Sequence, residues 1–165
     1  LTALFQFVSR PLAAGIVFNL VLIATHVPLT VDAWRSNQFG SFLLDMAWLG
    51  SGLILWLPLI SPLPELALRS YPIKMLYLFF AAGGVAMVPA GFLTWSEYPL
   101  YSTYELAPRV AGIKAIDDQQ LAGVLMVLGT MPIVWGVLAT MMHRWARSEA
   151  DGTPAVRAAG RGAPI

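Results

Sequence analysis

Four long apolar segments divide the chain, and short polar stretches separate them. They cover about residues 11–29, 42–60, 73–95 and 119–143. Each is close to the roughly 20 residues that an α-helix needs to cross about 30 Å of hydrocarbon. No segment alternates apolar and polar residues as a membrane β-strand does. The pattern therefore predicts an all-α integral membrane protein, a polytopic helical bundle of about four transmembrane helices.

Basic residues predict the orientation of this bundle. If the chain crosses four times, seven Lys and Arg residues lie at one end and three at the other. The first group is Arg10, Arg69, Lys74, Arg144, Arg147, Arg157 and Arg161, and the second is Arg35, Arg109 and Lys114. Because cytoplasmic loops are rich in Lys and Arg, we expect the C-terminus in the cytoplasm. Residues 1–147 then form the bundle, and residues 148–165 form a flexible cytoplasmic tail.

Composition supports the membrane class and narrows the chemistry. The chain is 58% hydrophobic and 12% charged, with a mean hydropathy of +0.69, whereas soluble domains are about 25% charged. It has no cysteine, so thiolate catalysis and iron–sulfur clusters are excluded. No phosphate loop, nucleophile elbow or zinc-protease motif occurs, which predicts that the protein is not an enzyme. Membrane lipids are expected partners and nucleic acid is not.

Two ionisable residues lie near the ends of predicted spans. His26 precedes the outward end of the first span, and Asp45 follows the outward start of the second. The spans are joined by a short loop, so they are antiparallel neighbours and the two residues lie at similar depth. Together they could share a proton or bind a metal. Alternatively, His26 contacts a loop carbonyl, while Asp45 caps its helix or bonds to Trp34 or Arg35.

The sequence Asp-Asp-Gln-Gln-Leu-Ala-Gly at residues 117–123 stands directly before the last apolar stretch. A helix start leaves backbone N–H groups without partners and carries the positive end of the dipole, which favours carboxylates there. We expect Asp118 to cap the helix and Asp117 to lie on the surface. Asp117, Asp118 and Gln119 are also candidates for an interaction at the outward face.

A strip of small residues lies in the third span, at residues 81–84 and at Ala86. Small side chains let the backbones of membrane helices approach closely. We therefore expect another helix of the bundle to contact this strip.

Five short motifs follow one another along the chain. They are Arg10-Pro11, His26-Val27-Pro28, Gly52-Leu53-Ile54-Leu55-Trp56-Leu57-Pro58, Tyr98-Pro99-Leu100-Tyr101 and Asp118-Gln119-Gln120-Leu121-Ala122-Gly123-Val124-Leu125-Met126. In this order they resemble the CtaG-type cytochrome c oxidase assembly factors of bacteria, over about residues 8–149. The resemblance implies a multi-pass protein of the bacterial inner membrane, with further spans before residue 1. It also implies a role in maturing the copper centre of haem–copper oxidases.

The resemblance also suggests the metal. Histidines near the outer ends of spans are the family's candidates for copper, and His26 matches one such position. Asp45 stands where members tend to have a second histidine, and a carboxylate is a poorer ligand for Cu(I) than an imidazole. His26 and Asp45 are therefore the candidate metal ligands, copper is the possible ion, and no other cofactor is predicted.

Three functions remain open from the sequence. The first is an assembly factor that acts in oxidase assembly or copper-centre maturation, with oxidase subunits as partners. The second is a non-catalytic structural subunit bound stably to a respiratory or photosynthetic electron-transfer complex. The third is part of a transporter, for which His26 and Asp45 would form a proton site.

Overall fold

The computed structural model describes residues 10–61, 67–68, 70–109 and 112–161, with side chains up to residue 150. Its α-helices are α1 (Pro11–Ala24), α2 (Pro28–Trp34), α3 (Gln38–Ile60), α4 (Tyr71–Leu78), α5 (Met87–Trp95), α6 (Ser102–Glu105) and α7 (Ala115–Arg161), and a π-helical segment (Phe79–Gly84) joins α4 to α5. These residues contain no strand, so the all-α prediction is confirmed. Residues 1–9 and 162–165, which belong to the predicted bundle and tail, lie outside the described residues, as do Arg69 and residues 62–66.

Three helical stretches in the described residues are long and apolar enough to cross a membrane. They are Gln38–Ile60, Tyr71–Trp95 and Ala115–Ala150. Helices α1 and α2 together would make a fourth, but they are bent by 74°. The prediction of a membrane-spanning helical bundle is confirmed, with three such helices, or up to four if the bent pair is one span.

The first apolar segment is interrupted where His26 lies. Pro28 has no backbone N–H and forces the preceding Val27 into an extended conformation, with φ −68° and ψ 128°. Helix α1 therefore ends at Ala24, and α2 begins at Pro28, a residue suited to a first helical turn. The bend places His26 between the two helices.

The last helix is longer than the predicted span. Helix α7 begins at Ala115 and continues for 47 residues to Arg161. It thus extends beyond residue 147, where the predicted tail begins. Flexibility of that tail stays a prediction.

The third span lies in the middle of the bundle. Helix α7 packs on one side of it, and α1, which packs in turn against α3, lies on the other. The small residues Ala81, Ala82 and Gly83 are buried there, and a Cβ atom added at Gly15 of α1 would lie 3.3 Å from the Cβ of Ala81. The close approach expected of the small-residue strip is therefore present.

Two hydrophobic clusters hold the described helices together at different depths. The larger comprises Leu55, Leu59, Leu78, Ala81, Ala82, Val134 and Leu138, and the smaller comprises Val31, Leu93 and Tyr101. The larger one draws on α3, α4, the π-helical segment and α7, whereas the smaller one joins α2 and α5 to the loop before α6. We call the two ends of the bundle the Tyr71 end and the His26 end, after residues that lie there.

Asn19 of α1 supports the π-helical segment. Its Nδ2 donates hydrogen bonds to the carbonyl oxygens of Ala81, at 3.1 Å, and Gly15, at 2.8 Å. A π-helical turn pairs carbonyl groups with amides five residues on, which departs from the regular α-helical ladder. The Asn19 amide adds a donor to the Ala81 carbonyl from a neighbouring helix. The Asn19 amide therefore links α1 to the third span.

Helices α5 and α7 approach each other most closely at Gly123. A Cβ atom at this position would overlap Thr94 Oγ1 and would lie 2.9 Å from both the Ala90 carbonyl oxygen and the Leu93 Cβ. The Thr94 hydroxyl is fixed because it donates to the Ala90 carbonyl oxygen at 2.8 Å. Only glycine fits this contact without movement of the backbone.

We predict that Gly123→Ala lowers the free energy of unfolding by about 1–3 kcal/mol, because the added methyl group overpacks the contact between α5 and α7. Gly129→Ala is the matched control, since a Cβ there meets nothing within 4 Å. Unfolding in mixed detergent micelles, followed by circular dichroism, measures both variants. Equal stability of the two variants would show that the contact at Gly123 is not tight.

Candidate functional site at the His26 end

The imidazole of His26 is held in one orientation. Its Nδ1 lies 2.7 Å from the carbonyl oxygen of Leu22, and its ring packs edge-on against Trp48 with centroids 5.9 Å apart. A carbonyl oxygen can only accept, so Nδ1 carries the proton and donates. In the neutral ring, Nε2 then keeps its lone pair.

The backbone at His26 is bonded to the loop between α5 and α6. The Tyr101 hydroxyl donates to the His26 carbonyl oxygen at 3.0 Å. Burial raises the pKa of Tyr101 to about 12, so the hydroxyl remains a donor at neutral pH. The bend between α1 and α2 is thus tied to the loop before α6.

Asp45 is bonded to Arg35 rather than to His26. Its Oδ1 lies 2.9 Å from Arg35 Nη2, and the Asp45 side chain is 58% exposed. Among the described residues, no hydrogen bond or ion pair joins His26 to Asp45, and no group of three or more His, Asp or Glu side chains could hold a metal ion. Asp45 thus follows the structural alternative of a bond to Arg35, and joint metal binding with His26 stays a prediction.

Two adjoining cavities meet at His26. We call the first the polar cavity; it has a volume of about 380 Å³ and is lined by residues that include Thr25, His26, Arg35, Tyr104, Glu105, Asp118 and Gln119. The second, the apolar cavity, measures about 410 Å³ and is lined by Phe18, Leu22, His26, Trp48, Ala82, Ala86, Leu93, Ala122, Met126 and Thr130. His26, Trp48, Leu93 and Ala122 line both.

The expectation that Asp118 caps the last helix is wrong. Helix α7 begins at Ala115, and the Asp118 amide already donates to the Lys114 carbonyl oxygen at 3.0 Å. Asp117 and Asp118 lie instead in the first turn, where carboxylates still suit the positive end of the helix dipole. Asp118 lines the polar cavity, whereas Asp117 does not.

Gln119 bonds within the chain rather than at an exposed face. Its side chain is 9% exposed, and its Oε1 accepts from the Leu100 amide at 2.6 Å. Its Nε2 donates to the Leu93 carbonyl oxygen at 3.4 Å, and Gln120 Nε2 donates to the Ser96 carbonyl oxygen at 3.0 Å. The two amides thus satisfy carbonyl groups at the end of α5 and hold the following loop against α7.

Comparison with known proteins decides the family. The profile of the family described as cytochrome c oxidase caa3 assembly factor (Caa3_CtaG) matches residues 1–148. The chain belongs to this family. No curated protein and no solved structure matches it.

Membership confirms the family resemblance and the general function. This Caa3_CtaG protein is a membrane protein that acts in oxidase assembly, and association with the oxidase follows from that role. The description as an assembly factor suggests a non-catalytic role. The family match does not identify site residues, so their roles depend on the geometry at the His26 end.

Sequence reasoning missed Asp32, which holds α6 in place. Its carboxylate accepts from the Ser102 hydroxyl at 2.6 Å, the Thr103 amide at 2.8 Å and the Ser102 amide at 3.3 Å. These bonds, the Ser102 hydroxyl foremost, lower the pKa of Asp32 to about 2. Asp32 thus caps a helix 70 residues away along the chain, and no local sequence signal connects the two.

We predict that Asp32→Ala frees α6, because the amides of Ser102 and Thr103 lose their acceptor. Hydrogen–deuterium exchange at residues 100–106 should become faster, while exchange in α5 stays unchanged. Asp45→Ala is the matched control, since it removes an exposed carboxylate from the same end without touching α6. Equal exchange in the two variants would contradict the role of Asp32.

The same bonds predict a pH dependence. Because the pKa of folded Asp32 is lowered from 3.8 to about 2, its stabilisation is complete above about pH 4 and is lost as the pH falls through 2. Exchange at residues 102 and 103, corrected with an unstructured peptide, should therefore rise between pH 4 and pH 2. In Asp32→Ala this rise should be absent.

Proposed function

We propose that this protein holds an oxidase subunit at the His26 end of the bundle while the subunit's copper centre matures, with His26 as the residue that receives the copper ion. The observation that carries the proposal is the His26 ring, which lines two cavities and whose Nδ1 is bonded to Leu22, so that Nε2 keeps its lone pair for a ligand. Copper is cargo in this proposal. It enters and leaves the site during assembly.

Two side chains that line the apolar cavity are of kinds that bind copper. A metal-binding histidine typically donates its other ring N–H to a carbonyl or carboxylate, as His26 does to Leu22. Met126 of α7 lines the apolar cavity together with His26. An imidazole and a thioether match the ligand preferences of Cu(I) better than the Asp45 carboxylate, which is already paired with Arg35.

The proposed setting is the bacterial inner membrane, with the C-terminus in the cytoplasm and the His26 end facing outward. The excess of Lys and Arg at the opposite end, seven against three, supports this orientation. In this orientation His26 faces the compartment outside the membrane. Copper would reach it there without crossing the bundle.

One observation favours a second candidate, a structural subunit held permanently in a respiratory or photosynthetic complex. Only 11% of the apolar window of α7 is buried within the bundle, against 28% for α3 and 33% for the third span. A wide apolar face is therefore left for lipid or for helices of a partner. Exposed members of this face include Leu121, Leu125, Leu128, Ile133 and Trp135.

We predict that His26→Asn lowers the affinity for Cu(I) about tenfold or more, because the amide still donates to Leu22 but offers no imidazole lone pair. His143→Asn, at the only other histidine, is the matched control and should bind like the wild type. Competition with a chromophoric Cu(I) chelator under reducing conditions measures all three proteins. Unchanged affinity in His26→Asn would overturn the copper role.

A strain without this protein separates the two candidate functions. An assembly factor predicts oxidase that is present but low in copper, with restoration by the wild type and not by His26→Asn. A permanent subunit predicts instead one copy per purified complex and normal copper content in the deletion strain. The second pattern would replace the first proposal.

A further inference from the structure

The two cavities together form a groove beside the third span. They share His26, Trp48, Leu93 and Ala122, so the polar cavity lies directly beside the apolar one. The third span lies between α7 and the pair α1 and α3. Helix α7 therefore provides one wall of the groove, and α1 and α3 provide the other. We call the combined space the His26 groove.

The apolar part of the groove suits a helix. Ala122 of α7 lines it and is exposed, and a small residue of this kind lets another helix backbone approach closely in a membrane. Ala82 and Ala86 of the third span form its buried floor. Phe18 and Met126 provide apolar contacts on opposite walls. The cavity reaches Thr130, about three turns into α7 from Gln119.

The polar part of the groove contains two carboxylates without an ion pair. Glu105 and Asp118 line it, and within the described residues neither carboxylate has a hydrogen bond or an ion pair. Arg35 lines it too, but its charge is paired with Asp45. A cation entering from the surface would meet two carboxylates, whereas an anionic headgroup would be repelled by them.

We propose that the His26 groove binds a transmembrane helix of the oxidase subunit, with an apolar body and a Lys or Arg at its outer end. The apolar body lies over the groove against Ala122, and the basic residue reaches Glu105 and Asp118. The inference rests on the proposed function, since it names the part of the subunit that is held. The partner's reacting metal site would then stand next to His26.

The test uses two synthetic helices of about 22 residues of Leu and Ala, long enough to cross the bilayer. One carries a single Lys at its outer end, and the other carries Gln there. Energy transfer from the labelled full-length protein to each labelled peptide is measured in phosphatidylcholine vesicles. The Lys peptide should bind about fivefold more tightly, because its ammonium meets two carboxylates that lack an ion pair.

Paired variants locate the site. The double variant Glu105→Gln, Asp118→Asn should remove the preference for Lys, whereas Asp117→Asn, at the neighbouring carboxylate outside the cavity, should keep it. Ala122→Phe should block both peptides by filling the groove, whereas Ala139→Phe, on an exposed face of the same helix, should not. Circular dichroism and thermal unfolding check that each variant is folded.

Several outcomes would overturn the groove proposal: no binding of either peptide, equal binding of the Lys and Gln peptides, or equal effects of a variant and its control. Chelator competition on the same samples separates this failure from that of the proposed function. If His26-dependent copper binding persists without peptide preference, the groove proposal fails and the copper role stands. If the peptides bind as expected but copper binding does not depend on His26, the copper role fails and the groove stands.

Discussion

Backbone carbonyl groups at interrupted helices determine how this bundle is held together. Hydrocarbon offers them no water, so a side chain from another part of the chain has to donate. The pairs are Asn19 with the Ala81 carbonyl in the π-helical segment, Tyr77 with Leu55 near Pro58, Tyr101 with His26 at the bend, and Gln119 with Leu93 near the end of α5. Each bond joins two different elements. The interruptions, rather than the regular helices, therefore fix how the elements are arranged.

The candidate site follows from one of these interruptions. Because the regular hydrogen bonding of α1 ends here, the His26 amide donates to Ile23 rather than to Leu22, and the Leu22 carbonyl oxygen accepts from the His26 ring. The His26 carbonyl oxygen in turn accepts from Tyr101. The bond from Nδ1 to Leu22 thereby holds the ring and leaves the lone pair on Nε2. A structural role and a ligand role are compatible in this residue, since they use different nitrogen atoms.

The sequence predicts the last three spans well because their length and hydropathy are set by the bilayer, whereas the first is bent by 74°. It predicts less of the site, because the decisive bonds connect residues far apart along the chain. Nothing in the sequence near Asn19 indicates its bond to the Ala81 carbonyl. The same holds for Asp32 and its bond to Ser102. Similarly, the carboxylate of Asp118 marks a first helical turn, but it does not determine that the helix begins at Ala115.

The motif at residues 117–123 shows how one helix start serves two purposes. Gln119 and Gly123 are four residues apart and so share a face, and both meet α5 at Leu93. Asp118 and Ala122 share the neighbouring face, and both line the polar cavity. The packing that joins α7 to the third span therefore also sets the wall of the groove. A change in that packing should alter the shape of the site even where no lining residue is replaced.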